Sequence, residues 1–467
     1  MELITQGGGQ SFSFWFNPLL YQTGKCDRNI ILISVDTLRA DHLGCYGYDR
    51  ETSPHIDSLA SDSALFRNVY ASSPWTLPSH VAMLTSLHGV HHQVYQDNEK
   101  MDPELVTLAD LLRNNHFSCS AFVGGGFVSG VYGFTKGFDA YREGDGGVFS
   151  QKSAEILYRI VEEWLDQNAG DKNFFLFLHT YQPHDPYACP EPYRSMFLPV
   201  DAKCRHLNLL GYLGGKPNIF KALSEEERQN VISLYDSEIR YTDETLIGPL
   251  IRKLKDMGLY DKTMIVFTSD HGEEFYDHSS WGHGHQLYDE SLKVPLIIKF
   301  SDSKYRAQKA DRVVSLVDVM PTILEEAGID FSDLPFDGRS LIPILQDKEK
   351  EDRVFLADIG SNVLNSHIPQ KIATNRSREK FILNKKFTDE DLTFFQHTPP
   401  KTGPVELFEL SEDPQEKRNI AHERSELVNQ LIRFIEDLYG KAKKRKSLRP
   451  EIDETLKEQL RALGYIH

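Results

Sequence analysis

Asp36, Asp270 and His271 stand where apolar runs of the sequence stop. Residues 30–35 (IILISV) end in Asp36, and residues 264–268 (MIVFT) end in Ser269, Asp270 and His271. Residues 174–178 (FFLFL) end in His179, with His184 shortly after. Ligands of open α/β sheets collect at the carboxyl ends of strands. These groups are therefore expected together at one sheet edge. Any one of them alone reads as a helix cap or a loop hydrogen-bonder, and Asp41 and Asp57 keep that reading. Together they crowd carboxylates that would repel one another unless a divalent cation lies between them. Two carboxylates and an imidazole suit Mn²⁺, Zn²⁺ or Mg²⁺, and a more oxygen-rich shell suits Ca²⁺ or Mg²⁺.

A hydroxyl is the natural companion of such a metal, which lowers the pKa of a bound hydroxyl and makes it a nucleophile. Thr76 lies in Ser73-Pro74-Trp75-Thr76-Leu77-Pro78-Ser79-His80, just before a helical stretch over 81–86 with Pro78 in its first turn. Backbone N–H groups there favour an anion. On local sequence alone, Thr76 reads first as an ordinary N-cap. A second cluster, His278, Trp281, Gly282, His283, Gly284 and His285, follows Asp270-His271. His283 or His285 could protonate a leaving group or bind a substrate oxygen. The sequence does not choose between them.

The elements that must position these residues alternate along the chain. Strands are expected over 30–35, 174–178, 264–268 and 296–299, and helices over 57–61, 107–114, 153–167, 225–257 (broken at Gly248-Pro249) and 318–328. That alternation predicts an α/β fold with a mainly parallel sheet flanked by helices. After residue 346 short strands are expected over 353–357, 371–374, 380–383 and 406–409, then a helix over 425–439. They predict a small C-terminal α+β subdomain with an antiparallel sheet. The division is 1–28 as an N-terminal tail, 29–346 as a catalytic domain, 347–440 as the subdomain, and 441–467 as a basic linker with a terminal helix over 452–463. The basic run 441–449 reads as a solvated tail.

Composition bounds the function. A net charge of −17, from 69 acidic against 52 basic residues, argues against non-specific nucleic-acid binding. It leaves a small anionic substrate open, because a metal reverses the local field. No run spans a membrane, and the first 28 residues lack the basic start and apolar centre of a signal peptide. That end reads as one from which a signal or anchor was lost. The five cysteines form no C-x-x-C pair, which disfavours a thiolate zinc site. Cys189 and Cys204 flank one loop and are read as free thiols or a disulfide, so the compartment stays open, as does the oligomeric state.

The segments NIILISVDTLRADHL (29–43), TSPHIDSLA (52–60), 73–85, FFLFLHTYQPHDPY (174–187), TMIVFTSDHGEE (263–274), 288–298 and ELFELSEDPQEKRNIA (406–421) resemble, in this order, the sulfatases of the alkaline phosphatase superfamily. The resemblance implies an alkaline-phosphatase-like fold, a family that is often extracytoplasmic, one metal ion on Asp36, Asp270 and His271, and His184 near the substrate oxygens. It also aligns Thr76 with the cysteine or serine that sulfatases oxidise to formylglycine, and this raises Thr76 from cap to nucleophile and fourth metal ligand. The departures are specific. The motif arginine is His80, the second aspartate of the first strand is Thr37, and the family's lysines are missing from 119–126 and from the segment before Tyr288, where His283 and His285 stand.

A threonine in that role resembles the phosphoethanolamine transferases and lipoteichoic acid synthases of the same superfamily. Formylglycine sheds sulfate by collapse of its hemiacetal, a route closed to threonine, whose ester must be cleaved by a second in-line attack. That chemistry is ordinary for phosphorus. The expected activity is therefore metal-dependent hydrolysis of phosphate or phosphonate esters through a covalent threonine intermediate. Arg39 or His80 would join His184 on the substrate oxygens. Two alternatives are kept: an arylsulfatase-like sulfuric ester hydrolase, and an inactive sulfatase-like binding protein.

Overall fold

The computed structural model describes residues 28–144, 151–170, 172–200, 221–360, 370–384 and 403–462. The expected N-terminal tail up to residue 27, Cys204 and the rest of 201–220 lie outside the described residues. Cys189 is buried as a free thiol.

The main sheet is built from β1 (Asn29–Val35), β2 (Ala64–Tyr70), β3 (Ser118–Val123), β4 (Ala140–Glu143), β5 (Phe174–Thr180), β6 (Thr263–Thr268), β7 (Leu296–Lys299) and β8 (Lys309–Ser315). These eight strands lie in the order β8-β2-β7-β6-β1-β5-β3-β4. Only β7 runs antiparallel to its neighbours, β2 and β6. β1, β5 and β6 are buried along their whole length, as strands covered on both faces must be. Their side chains alternate between two cores. Ile30 and Leu32 join one cluster, and Ile31 and Ile33 join the other.

The first face is covered by α2 (Thr76–Thr85), α3 (Leu108–Asn114) and α7 (Val319–Ala327), through Leu77, Val81, Leu112 and Ile323. The second is covered by α1 (Pro54–Ser61), α4 (Ser153–Asn168), α5 (Glu225–Thr242) and α6 (Gly248–Asp256). The break expected at Gly248-Pro249 lies earlier, in a π-turn over Asp243–Ile247. Pro249 donates no N–H to the carbonyl four residues back and crowds it. The widened turn absorbs the conflict and the helix continues.

The small sheet is antiparallel, with β9 (Leu356–Ile359), β10 (Lys371–Arg376), β11 (Glu379–Asn384) and β12 (Val405–Glu409) in sequence order. Its Ala357, Ala373 and Ile382 pack into the first core of the main sheet. Its other face takes Val428, Leu431 and Ile435 of α8 (Ser425–Lys441). β9 begins later than the expected 353. Arg353 is pulled out of the ladder by Asp318 at 2.9 Å and Glu349 at 2.9 Å. The basic run is exposed at Lys443, Lys444, Lys446 and Arg449, as expected of a solvated segment, but it is anchored at two points. Arg445 reaches Asp102 at 3.2 Å and the His91 carbonyl at 2.8 Å, and Leu448 bridges to Lys100. α9 (Glu454–Ala462) then buries Leu456 and Leu460 in the first core. Among the described residues, no helix is long and apolar enough to cross a membrane.

Candidate active site

The sheet order places β1 between β5 and β6, so Ser34 pairs with both His179 and Thr268. The strand ends holding Asp36, His179 and Asp270-His271 are thereby neighbours. Ser269 fastens two of them: its hydroxyl accepts the Leu38 N–H at 2.9 Å and donates to the His271 carbonyl at 2.7 Å. Asp36, Asp270 and His271 present one ligand atom each within 4.8 Å of one another, and all three are fully buried.

Thr76 is the first residue of α2, not a cap preceding it; Trp75 holds the N-cap position without a side-chain cap bond. The Thr76 hydroxyl turns into the acidic cluster instead. It donates to Asp36 Oδ2 at 3.2 Å and lies 3.4 Å from His271 Nε2.

This cluster fits a divalent cation. Asp36 Oδ1 and Asp270 Oδ2 are buried without a hydrogen-bond partner among the described residues. Burial raises the pKa of both acids, and the charge of Asp36 raises Asp270 further. Burial holds His80, His179 and His184 down at about 4, so these rings are neutral at pH 7 and cannot compensate the carboxylates. His271 differs. Burial opposes its charge, but Asp270 and Asp36 outweigh it and raise its pKa. His271 Nδ1 lies 2.9 Å from the Gly272 carbonyl, which directs Nε2 at the cluster as a metal ligand requires. Thr37 follows Asp36 with φ 56°, a left-handed backbone that a β-branched residue adopts only under strain. Its hydroxyl is also buried and unpartnered among the described residues.

The other expected site residues separate. His80 lies under the cluster, 3.4 Å from Asp270 Oδ2, with Nδ1 on the Thr76 carbonyl at 2.8 Å and Nε2 on Ser34 Oγ at 3.0 Å. His184 and His283 stack edge-on at 4.9 Å, and His283 lies 4.6 Å from the His271 ring. His285 turns away: Ser280 Oγ holds its Nε2 at 2.8 Å and the His283 carbonyl holds its Nδ1 at 2.7 Å. Arg39 is also committed elsewhere. It forks onto Asp41 at 2.9 and 2.7 Å and contacts Asp277 at 3.0 Å, lining a separate cleft of about 770 Å³. Arg39 therefore gives no support to the expected role on substrate oxygens, because its charge is already neutralised.

Two residues to which the sequence reading assigned no role also stand at the cluster. His179 contacts Asp36 Oδ2 at 3.4 Å, and Glu273 holds His283 Nδ1 at 3.0 Å while accepting from Tyr187 at 3.3 Å. The signal for both was present: His179 closes the apolar run 174–178, and Glu273 lies two residues after His271. The other His-acid group, His55, Asp243 and Glu244, has a structural explanation. Both Asp243 oxygens cap α1, at 2.9 Å from His55 N and 2.8 Å from Ile56 N.

Glu238 of α5 fixes the loop that carries His184, through Gln182 at 2.6 Å and the Cys189 N–H at 2.6 Å. Burial pushes its carboxyl up to about 8. A folded-state pKa above the unfolded value means a stabilising contribution that is complete below about 4.5 and lost as pH rises through about 8. The thermal midpoint is expected to fall between pH 5 and pH 9, and Glu238→Gln to flatten that fall, as thermal melts across the range would show.

The chain matches the sulfatase family over residues 28–329. It is 24% identical to arylsulfatase K of Rattus norvegicus, over 86% of this chain and 76% of that protein. It is 26% identical to the multifunctional alkaline phosphatase superfamily protein PehA of Trinickia caryophylli, over 70% of this chain and 78% of that protein. Its fold is similar to that of the phosphonate monoester hydrolase of Agrobacterium radiobacter, with a TM-score of 0.68 and 20% identity, covering 88% of this chain and 95% of that one.

Proposed function

The chain belongs to the sulfatase family of ester hydrolases, and we propose that it cleaves phosphate or phosphonate esters with Thr76 as nucleophile. The observation that carries the proposal is the buried Thr76 hydroxyl at the head of α2, within 3.4 Å of both Asp36 and His271. A divalent cation held by Asp36, Asp270, His271 and Thr76 would lower the hydroxyl pKa and neutralise an ester oxygen.

The residues then divide the work. Thr76 Oγ1 gives up its proton and forms a bond to phosphorus as the bond from phosphorus to the leaving ester oxygen breaks and that oxygen takes the proton up. The N-terminus of α2 favours the anion at that position. His283, braced by Glu273 and kept neutral by burial and the His271 charge, is assigned to relay that proton to the leaving oxygen, because it lies beside His271 and His184. His184, whose Nδ1 is engaged by the Asp185 carbonyl, would hold a second ester oxygen through Nε2 once the bound anion draws a proton onto its neutral ring. His285 and His80 keep the loop and the helix in place. Water cleaves the phosphothreonine in a second in-line step and returns the hydroxyl.

Sulfate ester hydrolysis is the second reading, favoured by the similarity to arylsulfatase K. Matched aryl phosphates, aryl phosphonates and aryl sulfates, assayed with Zn²⁺, Mn²⁺, Mg²⁺ and Ca²⁺ in turn, separate the two. kcat/KM for a phosphorus ester is expected to exceed that for the sulfate by about tenfold or more, a difference in transition-state stabilisation of about 1.4 kcal/mol. A preference for sulfate of that size would overturn the proposal.

A further inference from the structure

Two imidazoles stand behind the acidic cluster, nearly perpendicular, with ring centroids 4.9 Å apart. Both nitrogens of His80 have partners outside the cluster, the Thr76 carbonyl and Ser34 Oγ. His179 is different. Its one hydrogen bond runs from Nε2 to Asp36 Oδ2 at 3.4 Å, and its Nδ1 is buried without a partner among the described residues. A Cβ added to Gly124 would sit 3.5 Å from that Nδ1 and 2.6 Å from the Tyr181 ring, so backbone walls the ring in. The Tyr181 hydroxyl is engaged by the Phe127 N–H at 3.0 Å and the Gly125 carbonyl at 3.2 Å. With Asp36 ionised, Nε2 must carry the proton of the contact.

Asp36 is held asymmetrically in consequence. Oδ2 receives both His179 and Thr76, whereas Oδ1 lies 3.8 Å from His271 Nε2 and has no hydrogen bond among the described residues. We propose that His179 is a positioning residue: it pins Asp36 Oδ2 so that Oδ1 is the oxygen presented to the cation. The inference rests on Asp36 being a metal ligand and not on the identity of the substrate or of the nucleophile. Partners that orient a ligand from behind typically contribute tenfold to a hundredfold in metal affinity.

The test measures metal affinity directly, by titrating Zn²⁺ and Mn²⁺ against a chelating dye in the full-length protein. His179→Ala is expected to weaken affinity by roughly 10- to 100-fold. His179→Gln places an N–H at the reach of Nε2 and is expected to restore affinity to within about threefold. At saturating metal, kcat of His179→Ala should return to within about threefold of the starting protein. Unchanged affinity in His179→Ala would overturn the inference. So would a His179→Gln protein that keeps its thermal midpoint but binds as weakly as the alanine variant, because the ring would then act by packing. A kcat that stays low at saturating metal would overturn it too, by placing His179 in the chemistry. If the unsubstituted protein binds neither ion, the metal centre itself is wrong, and this inference falls with it.

Discussion

Thr76→Ala is expected to lower kcat by about 10⁴-fold or more, the scale on which enzymes lose rate when a nucleophile is removed. Bound metal should change far less. Asp36, Asp270 and His271 remain, and Thr76 adds only a hydroxyl to two carboxylates and an imidazole. The fold should also survive. Thr76 makes no cap bond, and α2 is anchored by the fully buried Leu77, Val81 and Met83. Thr76→Ser separates chemistry from packing, because it keeps the hydroxyl and removes a methyl group. It should retain measurable turnover and trap a covalent phosphoserine detectable by mass. Near-normal turnover in Thr76→Ala with any ester of the panel would remove Thr76 from the chemistry.

Asp270→Asn is expected to move function and stability in opposite directions. Asp270 Oδ2 is buried with no hydrogen-bond partner among the described residues, and burial, then the charge of Asp36, raise its pKa. An uncompensated buried charge is costly, and a neutral amide of the same shape relieves that cost. The amide can also donate to His271 Nε2, which lies 3.4 Å from Asp270 Oδ2. The metal-stripped variant should therefore be more stable than the metal-stripped parent, by roughly 1–3 kcal/mol. Metal affinity should fall by about 10³-fold or more and turnover with it, since an anionic ligand is lost from a cation site. Added metal should raise the thermal midpoint of the parent and leave that of Asp270→Asn nearly unmoved, because stabilisation by a ligand follows its affinity. If the stripped parent and variant melted alike, the two carboxylates would not be in the electrostatic conflict from which the metal site is inferred.

Much of the frame was legible in the chain. Strands buried on both faces need unbroken apolar runs, so β1, β5, β6 and β7 could be read directly. β4 and β8 could not. They are the edges of the sheet, half-exposed and rich in charge, and their pairing is set by neighbours remote in sequence. The basic run 441–449 is exposed as read, and only its two anchoring contacts, to Asp102 and Lys100, could not be read, because those residues lie more than three hundred positions away.

The sequence by itself determined which chemical groups gather at the candidate site. Apolar runs ending in Asp36 and in Asp270-His271 demand a polar cluster at a strand edge, whatever the rest of the fold does. Tertiary structure decided the division of roles. Thr76 is a cap candidate until α2 starts on it and turns its hydroxyl to Asp36. His283 and His285 are equivalent until Ser280 claims one and Glu273 braces the other beside His271. Arg39 is available until Asp41 and Asp277 neutralise it. Each choice turns on a hydrogen bond or ion pair a few ångströms long. Local spacing sets some of these contacts, and the order β5-β1-β6 sets those that join separate strand ends.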